Sequence, residues 1–292
     1  IKRINKSTST LKTIDFEIMF VDDGSKDSSI ELIHEISNKY KNIKAIQLSR
    51  NFGSHIAISA GIENVINSDS VIVLSADLQE PPEKIQKIIE EWDKGFDIVW
   101  TIRKKRSQGI LSKFFSYLFY KLFINYSELK DYPKAGPSGF FLLDKKVYKH
   151  WHRFKESNRM VLGMISWMGF NQSSIEYEQN KRMYGKSSYN FFKLLKIALD
   201  SFIGYSFAPI RAISFIGIII SFFSFLYAAY LIFGKLYYDT ALTGWTSTIV
   251  IILFLGGLQL VTLGIIGEYV WRGVNESRNR PLYIISKKIN FD

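Results

Sequence analysis

The stretch VIVLSADLQEPPE, residues 71–83, decides how the chain is read. Four apolar residues, Val71 to Leu74, run into a turn that holds Ser75, Asp77, Gln79 and Glu80, and Pro82 stands where a proline opens a helix. A buried strand that ends in acidic and amide side chains and leads at once to a helix is the turn of an open α/β sheet, whose ligands bind beyond the C-terminal strand ends.

The same alternation extends on both sides. FEIMFV (16–21), NIKAIQLS (42–49) and DIVWTI (97–102) read as further strands; SSIELIHEISNKY (28–40), HIAISAGIENVI (55–66) and EKIQKIIEEW (83–92) read as helices. Strands alternating with such helices predict an α/β domain with a mainly parallel sheet covered on both faces. GFFLL (139–143) and SIEY (174–177) add strands. A second acidic turn, VDDGS (21–25), falls at another strand end, so Asp22, Asp23, Gly24 and Ser25 join Asp77 and Gln79 as candidate ligand contacts. Alone, VDDGS also suits a plain turn in which Asp27 with Ser28 or Ser29 caps the next helix. Two acidic turns facing one crevice can hold a nucleotide's base and ribose, together with a hard divalent cation.

The C-terminal third is of another kind. Residues 212–234 and 241–267 carry no charge, and at about 1.5 Å rise per residue either run crosses a hydrocarbon core of roughly 30 Å. The short linker 235–240 makes them a transmembrane hairpin, with helices expected at about 210–234 and 244–269. Arg211 precedes it and Arg272, Arg278, Arg280, Lys287 and Lys288 follow, against Lys235 and Asp239 in the turn. Positive flanks place residues 1 to about 210 and the tail 272–292 on the cytoplasmic side of a bacterial plasma membrane. The net charge of +11 suits an anionic leaflet, and no motif points to nucleic acid. The absence of cysteine excludes disulfides and thiolate metal sites. Residues 110–126 and 189–207 have the basic, aromatic make-up of interfacial helices. Gly256, Gly257, Gly264 and Gly267 would allow close helix packing and hence a homo-oligomer.

FEIMFVDDGSKDSS, LSRNFGSHIAISAGI, VIVLSADLQEPPEKI, KRMYGKSSY and LGGLQLVTLGIIGEYVWR, in this order and followed by RPLY (280–283), resemble the polyprenyl-phosphate glycosyltransferases. These are inverting family 2 enzymes related to dolichol-phosphate mannose synthase and bactoprenol glucosyltransferase, and the likeness covers nearly the whole chain. It implies a GT-A (Rossmann-like) nucleotide-sugar-binding domain over residues 1–187, an interfacial segment at 188–208, two transmembrane helices within 209–271 and a basic tail at 272–292. It further implies transfer of a hexose from a nucleoside-diphosphate sugar, UDP-glucose favoured, to a polyprenyl phosphate, with Mg²⁺ or Mn²⁺, for modification of cell-surface glycan. Carried over, the resemblance has Asp22, Asp23, Gly24 and Ser25 contact the nucleotide, and Asp77, with Gln79 beside it, bind the metal or the donor diphosphate. Arg182, Gly185, Lys186 and Ser187 match the R-x-x-G-x-S segment that lies near the phosphates in relatives. Arg103 and Arg106 stand where a basic pair follows the fourth strand and would grip the acceptor phosphate.

The chain departs from the pattern in three places. Ser75 replaces the first acid of the usual D-x-D, which predicts weaker metal binding. Ser138 or Gly139 stands where relatives carry an acid before the strand at 139–143. A lipid phosphate is already anionic and needs positioning and charge neutralisation more than a base, so Asp77, Ser138 and Arg103 remain the catalytic candidates. The opening IKRINKSTSTLKTID is too polar for the V-V-P-x-Y-N-E strand with which relatives begin, and it reads as a sequence lacking that strand. These departures also motivate a competing reading, a catalytically weak membrane-anchored pseudoenzyme or scaffold. A processive polysaccharide synthase would carry a Q-x-x-R-W motif, which is absent.

Overall fold

Apolar runs become strands and amphipathic runs become helices, in the order α1 (Lys2–Thr8), β1 (Ile18–Asp22), α2 (Ser29–Lys39), β2 (Ile43–Leu48), α3 (Ser54–Glu63), β3 (Ser70–Val73), α4 (Ile85–Asp93), β4 (Ile98–Arg103), β5 (Pro137–Asp144), α5 (Lys145–Tyr148), α6 (Val161–Trp167), β6 (Gln172–Tyr177), α7 (Ala208–Tyr238), α8 (Trp245–Ser277) and β7 (Ile285–Ile289). The computed structural model describes residues 1–9, 13–104, 136–180, 208–238 and 244–291, with isolated positions between them. The two stretches read as interfacial, 110–126 and 189–207, lie for the most part outside the described residues. Two units result, one of residues Ile1–Ser201 with Arg280–Asp292 and one of Phe202–Asn279.

The first unit holds two mixed sheets. In one, β2 lies between a parallel β1 and an antiparallel β7; in the other the order is β3-β5-β4-β6, with β5 antiparallel to both its neighbours and β4 parallel to β6. The expected mainly parallel sheet is thus mixed. Phe140, Phe141, Leu142 and Leu143 are all fully buried, and an apolar run of that kind signals burial while carrying no information on strand direction. Residues 285–289, within the segment read as a basic tail, form the third strand of the first sheet.

Each sheet has its own core. Ile85, Ile88 and Ile89 share one face of α4 at helical spacing and pack on Val99, Phe140 and Leu142. Ile46, Leu48 and Ala60 form the other, with Val21, Phe52, Tyr283, Ile285 and Phe291 against them. The polar N-terminus begins with the short helix α1, and its Arg3 pairs with Glu83 at 2.9 Å.

Strand register sets where the chemistry collects. Asp22 pairs with Gln47 at the C-terminal ends of β1 and β2, and Arg103 pairs with Tyr177 at those of β4 and β6. Because β5 runs the other way, its first residue, Pro137, lies opposite Ile102 at the same edge. In the second unit α7 and α8 expose Phe222, Phe225, Leu253, Leu260 and Leu263, and both helices are long and apolar enough to cross a membrane.

Candidate active site

Three clusters stand at these strand ends. The first is the turn after β1. Asp22 is buried, and both its carboxylate oxygens accept the Ser25 N–H at 3.3 Å, closing the turn on itself. Asp23 reaches across to the next strand-to-helix loop, where its two oxygens accept the N–H groups of Phe52 at 2.7 Å and Gly53 at 2.9 Å. Those amides belong to the two residues just before α3, so a carboxylate there lies at the positive end of the helix dipole. Gly24 has φ +66°, and a Cβ on it would lie 2.4 Å from the Arg50 carbonyl carbon. Only glycine allows the two loops to approach so closely. Arg50 in turn stacks its guanidinium 4.6 Å from the Phe52 ring centroid, which keeps a cation beside the acidic turn.

The second cluster is the turn that follows β3. Asp77 Oδ1 accepts the Gln79 N–H at 3.1 Å, and Leu78 between them has φ +60°. A branched residue in the left-handed region is strained, and such strain collects where function requires a particular side-chain placement. Glu80 is buried and accepts the Ser75 N–H at 3.1 Å. A Cβ on Gly139 would come 4.0 Å from Glu80 Oε1, so a carboxylate does border the position where the expected acid is missing. Asn180 binds this turn from the other side, its N–H donating to the Gln79 carbonyl at 3.0 Å and its side chain to that of Leu78 at 3.4 Å.

The third cluster is at β4 and β5. Arg103 Nε donates to the Tyr177 hydroxyl at 3.2 Å, which steadies the guanidinium at the sheet edge. Ser138 is buried, its hydroxyl 2.6 Å from that of Thr101, and it accepts the Phe140 N–H at 3.1 Å. These bonds shape the start of β5 beside the register shift between Trp100 and Ile102, a structural use of the hydroxyl.

Sequence reasoning did not single out Arg50 or His55, and it named Glu80 as part of the acidic turn without giving it a role. His55 lies in α3 just after the loop that Asp23 grips; its Nδ1 is buried without a hydrogen-bond partner among the described residues, and burial holds its pKa below the ordinary histidine value. The signal for Arg50 was the order S-R-N-F-G after a strand, a cation, an aromatic ring and a glycine in a turn. Arg106, Arg182, Gly185, Lys186 and Ser187 lie outside the described residues; Asn180, anchored to Leu78 and Gln79, stands two positions before Arg182.

Among the described residues no three His, Asp or Glu side chains gather to hold a metal ion. The Asp77 carboxylate, at a half-buried turn, suits a hard cation whose other oxygens arrive with a phosphate-bearing substrate and water. The residues present therefore fit a hard divalent cation that is brought in with such a substrate.

A family model described as glycosyl transferase family 2 matches residues 1–152. The chain is 39% identical over 278 residues to YkcC of Bacillus subtilis (strain 168), an uncharacterized glycosyltransferase, across 95% of this chain and 85% of that protein. It is 37% identical over 274 residues to the uncharacterized glycosyltransferase sll0501 of Synechocystis, across 94% and 85%. It is 36% identical over 278 residues to the SfII prophage-derived bactoprenol glucosyl transferase of Shigella flexneri, across 95% and 89%.

Proposed function

Because the chain belongs to glycosyl transferase family 2 and is a glycosyltransferase, we propose that it moves a hexose from a nucleoside-diphosphate sugar, UDP-glucose first, to a polyprenyl phosphate. One observation carries this reading. The likeness to a bactoprenol glucosyl transferase spans 95% of the chain, so it takes in the strand-end turns and the two membrane-length helices together.

The turn at Asp22 to Ser25, braced by Asp23 on the loop before α3, receives the nucleotide. Asp77, with Gln79 beside it, faces the diphosphate and would hold Mg²⁺ or Mn²⁺ jointly with its oxygens. When bound, such an ion neutralises the charge that develops on the departing nucleoside diphosphate. Arg103, steadied by Tyr177, attracts and orients the acceptor phosphate, and Arg106, Arg182, Lys186 and Ser187 are assigned to the same phosphates. An oxygen of the lipid phosphate forms the new bond to the anomeric carbon as the bond to the nucleoside diphosphate breaks, and the anomeric configuration inverts. The nucleophile is already anionic, so positioning and charge neutralisation replace a general base. Ser138, tied to Thr101, takes no part in this scheme. The positive flanks of the helix pair support a cytoplasmic donor site on the bacterial plasma membrane.

The test is label transfer from UDP-glucose, UDP-galactose, UDP-N-acetylglucosamine and GDP-mannose, in separate reactions, to a short-chain polyprenyl phosphate with Mg²⁺ and detergent-purified protein. Label in the organic phase from UDP-glucose alone is the expected result. Transfer from a different donor replaces the sugar, and no transfer from any donor by folded protein overturns the reading in favour of a pseudoenzyme.

A further inference from the structure

The segment 280–292 has no part in the scheme above, yet its contacts flank the loop that Asp23 grips and the helix that follows it. The Ile284 carbonyl accepts the Ser49 N–H at 2.9 Å, and the adjacent Tyr283 hydroxyl donates to Glu63 Oε2 at 2.7 Å. Ser49 is the residue before the loop 50–53, and Glu63 is the last residue of α3, which follows that loop. Two consecutive residues of the segment therefore hold both ends of one loop-and-helix unit.

Glu63 is not free to release this grip. Its other oxygen accepts from Arg159 Nη1 at 2.7 Å, and the Arg159 side chain is only 1% exposed, with Nη2 committed to the Phe154 carbonyl at 2.7 Å. Turning Glu63 away would leave a buried guanidinium unpaired, which is strongly unfavourable. Asn64 Nδ2 donates to the Tyr283 hydroxyl at 3.2 Å, and Lys288 Nζ donates to Asn64 Oδ1 at 2.8 Å, so the same strand supports the acceptor side as well. Burial, then the neighbouring Glu63 carboxylate, push the Tyr283 hydroxyl's pKa upward, so it remains protonated and a donor at any physiological pH.

We infer that the strand following the second membrane-length helix is a brace of the donor turn, and that Tyr283 is its positioning residue, acting through Glu63 on the loop against which Asp23 and Gly24 rest. The inference builds on the donor role proposed for that turn, but its mechanical half stands apart from any chemistry. Tyr283 touches no reacting atom. It sets where the Phe52 and Gly53 amides lie, and through them where the acidic turn can meet a nucleotide.

The experiment uses the full chain in detergent and two readouts. Tyr283→Phe deletes one hydroxyl and keeps the ring in the core beside Ile46 and Leu48. The loss of one hydrogen bond predicts a rise of about five-fold in KM for the donor at unchanged kcat and unchanged KM for the lipid. Amide hydrogen exchange across residues 49–55, measured without substrate, is expected to accelerate by about the same factor. Ser286→Ala, which removes a bond from the same strand to the Gln47 carbonyl, is expected to leave both readouts near the parent values. Unchanged exchange at 49–55 in Tyr283→Phe overturns the brace. So does a fall in kcat at constant donor KM, or an equal effect of Ser286→Ala. If Tyr283→Phe aggregates, Asn64→Ala tests the same hydroxyl by the same readouts. A parent protein that uses no nucleotide sugar defeats the donor reading, while the exchange result still decides the brace.

Discussion

The carboxylate of Asp23 accepts the backbone N–H of Gly53 at 2.9 Å, while its second oxygen takes the neighbouring amide, so one side chain ties the turn after β1 to the start of α3. Asp23→Asn turns one of these oxygens into an NH₂ that faces another donor. A hydrogen bond to a charged group contributes about 1.5–3 kcal/mol, so nucleotide affinity should fall by at least about ten-fold. The midpoint of thermal unfolding should fall by roughly 5 °C. A UDP titration and a melting curve check both.

Gly24→Ala should be worse than its single methyl suggests. The new Cβ would sit 2.4 Å from the Arg50 carbonyl carbon, and the backbone at φ +66° is one that side chains resist. The turn must shift away from the loop, at a cost of about 1–3 kcal/mol in strain alone. Transfer activity should fall by about a hundred-fold while the protein remains membrane-bound, which fractionation with activity assay will show.

Asp77→Asn keeps the turn's shape, because the side-chain oxygen can still accept from Gln79, yet it removes the only charge that this residue offers a cation. We expect kcat to drop by about 10²-fold or more with membrane insertion intact. Near-normal turnover would remove Asp77 from the mechanism. In the opposite sense, Ser75→Asp supplies a second carboxylate and should lower the Mg²⁺ concentration needed for half-maximal rate.

Arg103→Lys preserves the charge but forfeits the planar fork and the Nε–H that meets Tyr177. KM for the lipid acceptor should rise by about ten-fold, with donor KM unchanged. Initial rates over a matrix of donor and acceptor concentrations separate the two.

His55 predicts a pH effect on stability. Burial lowers its pKa in the folded chain, so the unfolded chain binds the proton more tightly. The folded state is favoured above the ordinary histidine pKa of about 6.5 and loses stability as pH falls from there toward the lowered value, at up to about 1.4 kcal/mol per pH unit. Melting curves between pH 7.5 and 5 should show a steeper decline for the parent than for His55→Gln; parallel declines would rule out this histidine as the source.

Legibility in the sequence followed periodicity and proximity. FEIMFV, NIKAIQLS and DIVWTI were readable as strands because each apolar run is bounded by turn residues, and α4 because Ile85, Ile88 and Ile89 share one face. The strand Ile285–Ile289 was not, since Lys287 and Lys288 sit in its middle and its apolar ends match those of any short tail. The direction of β5 was hidden by uniform burial. At the site, Asp22, Asp23 and Asp77 were visible as acids at strand ends, but their division of labour was not. Which carboxylate closes its own turn and which grips a neighbouring loop depends on contacts some thirty residues apart, as between Asp23 and Gly53. Ser138 was drawn toward chemistry by its place in a motif, and only packing shows its hydroxyl bound to Thr101. Glu63 and Arg159 carry no local pattern, and Tyr283 was visible only as the end of RPLY with no partner attached, because their association is assembled from three distant segments.

The pairing of β2 with β7 also sets a timetable. Ser286 meets Gln47 across 239 residues, and both membrane-length helices lie between them. On a ribosome adding about 5–20 residues per second, β2 waits for tens of seconds with one edge bare. During that interval the unpaired edge invites pairing with other chains. Closure of the first sheet therefore depends on a segment that emerges after both helices, and a frameshift or premature stop before it would release a chain that carries both membrane-length helices with its first sheet never closed.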